Sequence, residues 1–219
     1  MTSAVCLLLG AAAGRPSAQQ DAGVRGRVEI GIPIATRRAT AAYPTRSISV
    51  ASLAPASELK NVVVYLKDAP SYPVTPVRVA IVQRDEAFLP RVVAVPVGSE
   101  VTFPNEDHIY HNVFSLSRAR SFNLGRYPHG KSGAVRFDTP GVVKVFCDIH
   151  SHMTATVLVF NHPWFATPSG EGRFEMAGLP AGERDITAWH ERLGDTTLRV
   201  RLEPGRDTSA DFTLPVPLQ

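Results

Sequence analysis

The stretch Val145-Phe146-Cys147-Asp148-Ile149-His150-Ser151-His152-Met153-Thr154 sets a thiol, an imidazole and a thioether three residues apart. On one side Val142–Phe146 reads as a strand, and on the other Thr154–Phe160 reads as a second. The residues between them must reverse the chain, and a tight reversal can turn Cys147, His150 and Met153 toward one point. Thiolate and thioether are soft donors and imidazole is intermediate, so this donor order favours a soft or borderline transition metal.

A second imidazole lies 36 residues upstream, in Pro104-Asn105-Glu106-Asp107-His108-Ile109-Tyr110-His111-Asn112-Val113-Phe114. His111 opens the expected strand His111–Leu116, and Asn112 follows it, able to tie the two ligand segments by hydrogen bonds. His108 competes for the same role but lacks the His-Asn-Val context, and is expected on the surface. Two histidines, one cysteine and a weak axial methionine form the ligand set of blue-copper sites. A zinc set of Cys147, His150, His152 and either Asp148 or His111 is chemically possible, but leaves Met153 without a role.

The Asp-x-x-x-His-Asn-Val-Phe stretch followed by Cys-x-x-His-x-x-Met resembles the cupredoxins, and its short second spacing is amicyanin-like. The resemblance covers residues 74–161. It implies His111, Cys147 and His150 as equatorial ligands and Met153 as the axial one, with Asn112 behind them. It further implies one copper ion per chain cycling between Cu(I) and Cu(II), electron transfer between periplasmic redox partners, and no enzymatic turnover. The alternatives are a copper chaperone or resistance protein using the same residues, and an interaction or polysaccharide-binding protein with a vestigial site. Ile149 and Ser151 flank His150 where amicyanin-like loops carry proline.

Outside this region the chain also reads as all-β. Eighteen prolines, spread from Pro16 to Pro217, leave no room for a bundle of long helices. Further strands are expected at Val24–Ile30, Asn61–Leu66, Val77–Gln83, Arg91–Pro96, Glu100–Phe103 and Gly133–Phe137. Thr36–Ser57, rich in Ala, Ser, Thr and Pro, reads as a long loop. In the tail, Gly172–Met176, Arg184–His190 and Leu198–Leu202 alternate as half-wet strands, with Gly178–Gly182 as a turn and Ala210–Leu214 closing the chain. Gly-Arg-Phe-Glu, Gly-Leu-Pro-Ala-Gly-Glu and Ile-Thr-Ala-Trp-His resemble carboxypeptidase-regulatory or transthyretin-like modules, whose first half is similar to Gly26-Arg27-Val28 and Asn61–Leu66. The expected architecture is a Greek-key cupredoxin sandwich inserted into a second small antiparallel β-sandwich made of residues 21–73 and 162–219.

The net charge of +3, with basic residues scattered among acids, argues against nucleic acid as a partner. Arg118, Arg120, Arg126, His129 and Lys131 read as a solvated face. The opening Ala4-Val5-Cys6-Leu7-Leu8-Leu9-Gly10-Ala11-Ala12-Ala13 is too short to span a bilayer but suits the core of a signal peptide, here 1–18, so a periplasmic or secreted location is expected. Removal of that segment leaves Cys147 as the one cysteine, unable to form an internal disulfide.

Overall fold

The structure is a computed structural model and describes residues 21–31 and 56–215. The expected signal peptide and nearly all of the 36–57 loop lie outside those residues. The strands run β1 (Ala22–Gly31), β2 (Val62–Leu66), β3 (Arg78–Ala80), β4 (Val82–Arg84), β5 (Ala87–Leu89), β6 (Val92–Pro96), β7 (Ser99–Pro104), β8 (His111–Leu116) and β9 (Ser121–Tyr127). They continue with β10 (Ser132–Phe137), β11 (Gly141–Phe146), β12 (Thr154–Phe160), β13 (Phe165–Ala166), β14 (Arg173–Leu179), β15 (Gly182–His190), β16 (Gly194–Leu202), β17 (Asp207–Ser209) and β18 (Phe212–Pro215). One helical turn, Ala56–Leu59, precedes β2. No helix among the described residues is long and apolar enough to cross a membrane.

The central block is a sandwich. Its larger sheet has the order β6-β12-β11-β8-β9 and its smaller sheet β10-β7-β3. Neighbours in these sheets are often not consecutive in the chain, and β6 runs parallel to β12 as β3 does to β7. The chain therefore crosses between sheets in the Greek-key manner. Val101, Phe103, Val113, Phe137, Val143, Val145, Ala155 and Val157 fill the space between the sheets, and Cys147 and Met153 belong to the same buried cluster. Alternation explains the packing: in β7 every second residue, Ser99, Val101 and Phe103, is buried.

Two differences from the sequence reading have plain causes. The expected strand Val77–Gln83 divides at Ile81, because β3 pairs with β7 whereas β4 forms a hairpin with β5. The sequence offers no strand signal at Ser121–Tyr127, which has no β-branched residue and contributes only Arg126 to the solvated basic face. Pairing along β8 makes it a strand nonetheless, with Phe122 and Leu124 half-buried.

Segments before and after the central block pair with each other. Strand β1 lies between β14 and the parallel partners β17 and β18, with Gly26 opposite Phe174. Strand β2 lies between β13 and β15, with Leu66 opposite Ile186. The two sheets enclose Val24, Val28, Val64, Leu66, Trp164, Phe174, Ile186 and Phe212. Gly26 is required there: a Cβ would stand 1.9 Å from the Ala210 carbonyl oxygen, where the chain passes from β17 to β18. The expected turn Gly178–Gly182 shortens to Pro180-Ala181, because buried Leu179 continues β14 and pairs with Ala22.

A small apolar contact of Val63, Val92 and Leu158 joins the two sets of sheets, with Tyr65, Phe160, Phe165 and Trp189 around it. Beside it, the Glu191 carboxylate accepts from Arg91 at 3.0 Å and from Lys144 at 3.0 Å. The Lys144 ammonium lies 5.8 Å from the Trp189 ring centre.

Candidate metal centre

The β11–β12 ladder ends where Phe146 pairs with Thr154, and the loop between them is tied across its mouth. The Cys147 N–H donates to the Met153 carbonyl at 3.3 Å, and the Met153 N–H donates to the His150 carbonyl at 3.0 Å. These bonds turn the loop inward at its first, fourth and seventh residues. Strand β8 runs beside β11, with Phe114 opposite Phe146, and delivers His111 to the same end of the sandwich.

Three donor atoms meet there. His111 Nδ1 and His150 Nδ1 are 3.0 Å apart, and Cys147 Sγ lies 4.0 Å from the first and 3.9 Å from the second. The centre of that triangle is about 2.1 Å from each corner, within the roughly 2.0–2.3 Å of metal–nitrogen and metal–sulfur bonds. His111 is fully buried, Cys147 is buried, and His150 is half-buried. Met153 is buried in the same apolar cluster as Cys147. The donor set thus fits a soft or borderline cation held in a dry pocket.

The tautomer of His111 is set from behind. Its Nε2 lies 2.8 Å from the Asp107 carboxylate, an obligate acceptor, so the proton sits on Nε2 and leaves the Nδ1 lone pair facing the triangle. Asp107 also accepts the N–H groups of Asp85 at 2.6 Å and Glu86 at 3.0 Å. Burial pushes the Asp107 carboxyl up, but the Glu86 N–H, the His111 bond and the Asp85 N–H outweigh it and hold the group below its usual range. Asp85 and Glu86 form the β4–β5 turn, both in the left-handed region with φ of 53° and 52°. Two-residue hairpin turns of this kind favour Asn-Gly or Asp-Gly, so a Glu at the second position is held against its preference by the carboxylate it serves.

The Glu86 side chain meets the other side of the site, 3.8 Å from His150 Nε2 and 3.6 Å from His152 Nε2. Asp148 pairs with Arg126 on β9 at 3.2 Å. His152 and Asp148, candidates for a zinc set, are therefore turned away from the triangle. Asn112 is buried, but its Oδ1 has no hydrogen-bond partner among the described residues. The two ligand segments meet along the β8–β11 ladder, and the Arg126–Asp148 pair fastens the loop to β9. The sequence places Asp107 in the motif but gives it no role, and it gives no sign of the Asp85-Glu86 turn. Only the spacing of Asp107 four residues before His111 hinted at the former, and the turn lies 22 residues upstream of that carboxylate.

His162 and His190, to which the sequence assigned nothing, are buried away from this site. His162 Nδ1 accepts the Trp164 N–H at 3.2 Å, and burial pushes its pKa down to about 4. His190 bonds Glu58 at 3.2 Å and accepts the N–H groups of Arg192 and Leu193.

No protein-family model matches the chain, and no curated protein sequence does. Among solved structures the neighbours are cupredoxins. A copper-containing nitrite reductase from Thermus scotoductus SA-01 is 25% identical with a TM-score of 0.37, over 44% of this chain and 24% of that one, so the chain spans about a quarter of that enzyme. A Cu(I) amicyanin variant is 18% identical with a TM-score of 0.36, over 37% of this chain and 81% of its own. A purple cupredoxin from Nitrosopumilus maritimus is 28% identical with a TM-score of 0.32, over 35% and 84% of the two chains.

Proposed function

We propose that the chain binds one copper ion through His111, Cys147, His150 and Met153 and carries single electrons between redox partner proteins of the periplasm or cell exterior, without converting a substrate. The observation that carries this reading is the His111–Cys147–His150 triangle, sized for one cation and lined by two imidazoles and a thiol. Held by these residues, copper would supply a one-electron couple between its cuprous and cupric states, Cu(I) and Cu(II). The protein's part is to keep the donors still. The loop is closed by its own backbone, His111 is fixed through Asp107, and the pocket is buried, so little must move when charge changes. The half-buried ring of His150 supplies the edge nearest the surface.

In the same reading, residues 74–161 are the copper-binding unit, inserted into a second sandwich built from 21–73 and 162–219. The pairings of β1 with β14 and of β2 with β15 support that division. Export through the 1–18 segment completes the proposal and accounts for a thiol that has no partner cysteine in the mature chain.

Titration of purified apoprotein with Cu(II) tests the function. One equivalent is expected to give an intense visible thiolate-to-copper band that disappears in Cys147→Ser, with reversible voltammetry. A colourless product, or a band that survives in Cys147→Ser, would overturn it.

A further inference from the structure

One more pair of metal-competent side chains meets on the surface of the central block. His108 lies between β7 and β8, and His129 lies between β9 and β10, 21 residues later. Their rings stack with centroids 4.7 Å apart and planes inclined by 25°. Both residues are exposed. Neither belongs to the triangle of His111, Cys147 and His150.

The two loops are held in register by one buried side chain. Asn105 donates from Nδ2 to the Ile109 carbonyl at 2.9 Å and to the Tyr127 carbonyl at 3.1 Å, and its Oδ1 accepts the Asp107 N–H at 2.9 Å. Its backbone bonds both partners of the second loop, accepting from Gly130 N–H and donating to the Lys131 carbonyl, each at 2.8 Å. The segments that carry His108 and His129 are thus fastened to each other on both sides of the ring pair. The order of the pair comes from the scaffold, so a ligand that needs both rings does not have to organise two loose loops.

We propose that His108 and His129 form a second, surface metal site for a divalent late-transition cation of the Cu(II) or Zn(II) class. Imidazole is the borderline donor such ions prefer, and among them Cu(II) binds most tightly to a given nitrogen site. Two adjacent ligands at about 2.0–2.1 Å from one ion stand about 3 Å apart, so the exposed rings must turn out of their stack about the side-chain bonds to bring both lone pairs onto one ion, while the fastened backbones keep them within reach of each other. Water completes the coordination at an exposed position. With two protein donors in place of three or four, the site is weaker than the buried triangle and fills after it. The proposal does not depend on electron transfer at the triangle.

Stepwise addition of Zn(II) to the whole chain, followed by the ring nitrogen resonances of each histidine, tests it. The rings of His108 and His129 are expected to shift together along one saturating curve. In His129→Ala the affinity read at His108 falls at least tenfold, and His108→Ala does the same at His129, while the amide spectrum otherwise stays in place. A response from only one ring, no response from either, or a His108 response indifferent to His129→Ala would overturn the proposal. The His111 and His150 rings report separately, so failure of the buried centre and failure of the surface pair are told apart.

Discussion

Asp107 is the residue through which the fold acts on His111. An ionised carboxylate on the far nitrogen makes the imidazole a stronger donor and favours the more positive state of any ion bound at the triangle. Asp107→Asn keeps the shape but removes the charge and one acceptor for the Asp85 and Glu86 N–H groups. With copper bound, the reduction potential is expected to rise by roughly 50–100 mV, where about 59 mV is a tenfold change in a one-electron equilibrium. Voltammetry of the two proteins checks this, and an unchanged potential would mean that Asp107 only supports the loop. His162 offers a second residue-scale prediction, on stability. Its folded pKa of about 4 lies below the ordinary value of 6.5, so the unfolded chain takes the proton first as pH falls. The stability present above about pH 6.5 is therefore lost progressively down to about pH 4, by up to roughly 3 kcal/mol at 1.36 kcal/mol for each pH unit. Urea midpoints at pH 7 and pH 4.5 should converge in His162→Gln relative to the parent chain. An unaltered pH slope would place the acid sensitivity elsewhere.

Among the elements, β1 carries the tightest requirement. Its central Gly26 lies against the Ala210 carbonyl while the strand pairs with β14, β17 and β18. Gly26→Ala forces backbone apart instead of rotating a side chain, and should cost about 1–3 kcal/mol. A denaturation midpoint within error of the parent would show that the β17–β18 crossing yields easily. Thr154–Phe160 was legible to the residue because β-branched and apolar side chains fill both faces of an interior strand, whereas His111–Leu116 was bounded by its buried His-Asn-Val run and ends at exposed Leu116. By contrast, β5 and β9 sit at sheet margins, with sequences of Ala-Phe-Leu and Ser-Phe-Asn-Leu-Gly-Arg-Tyr. Their pairing comes from neighbours, and a local pattern carries little of it.

At the scale of the molecule, the two sandwiches meet through a small apolar patch and one carboxylate shared by two cations. Burial pushes the Glu191 carboxyl up, but Lys144 and Arg91 outweigh it and lower its pKa. Glu191→Ala leaves both cations facing each other without their common partner. It should destabilise the junction by about 1–2 kcal/mol, less than for a fully buried pair because both cations are partly exposed. Calorimetry is expected to resolve a single parent transition into two overlapping ones in this variant. Melting as one sharp transition at the parent temperature would show that the apolar contact alone couples the halves.

The order of donor atoms in Cys147, His150 and Met153, the upstream His111, and the all-β character were fixed by local chemistry and could be read from the chain. A loop bounded by two strong strands has few ways to fold, and it brings Cys147 Sγ and His150 Nδ1 within 3.9 Å of each other. The hold of Asp107 on His111, the Asp85-Glu86 turn behind it, and the meeting of His108 with His129 depended on the tertiary structure. The turn reaches Asp107 across 22 residues and His129 reaches His108 across 21, through sheet pairing and loop closure that no single segment encodes, and Asp107 meets His111 four residues on because that turn holds its carboxylate in place.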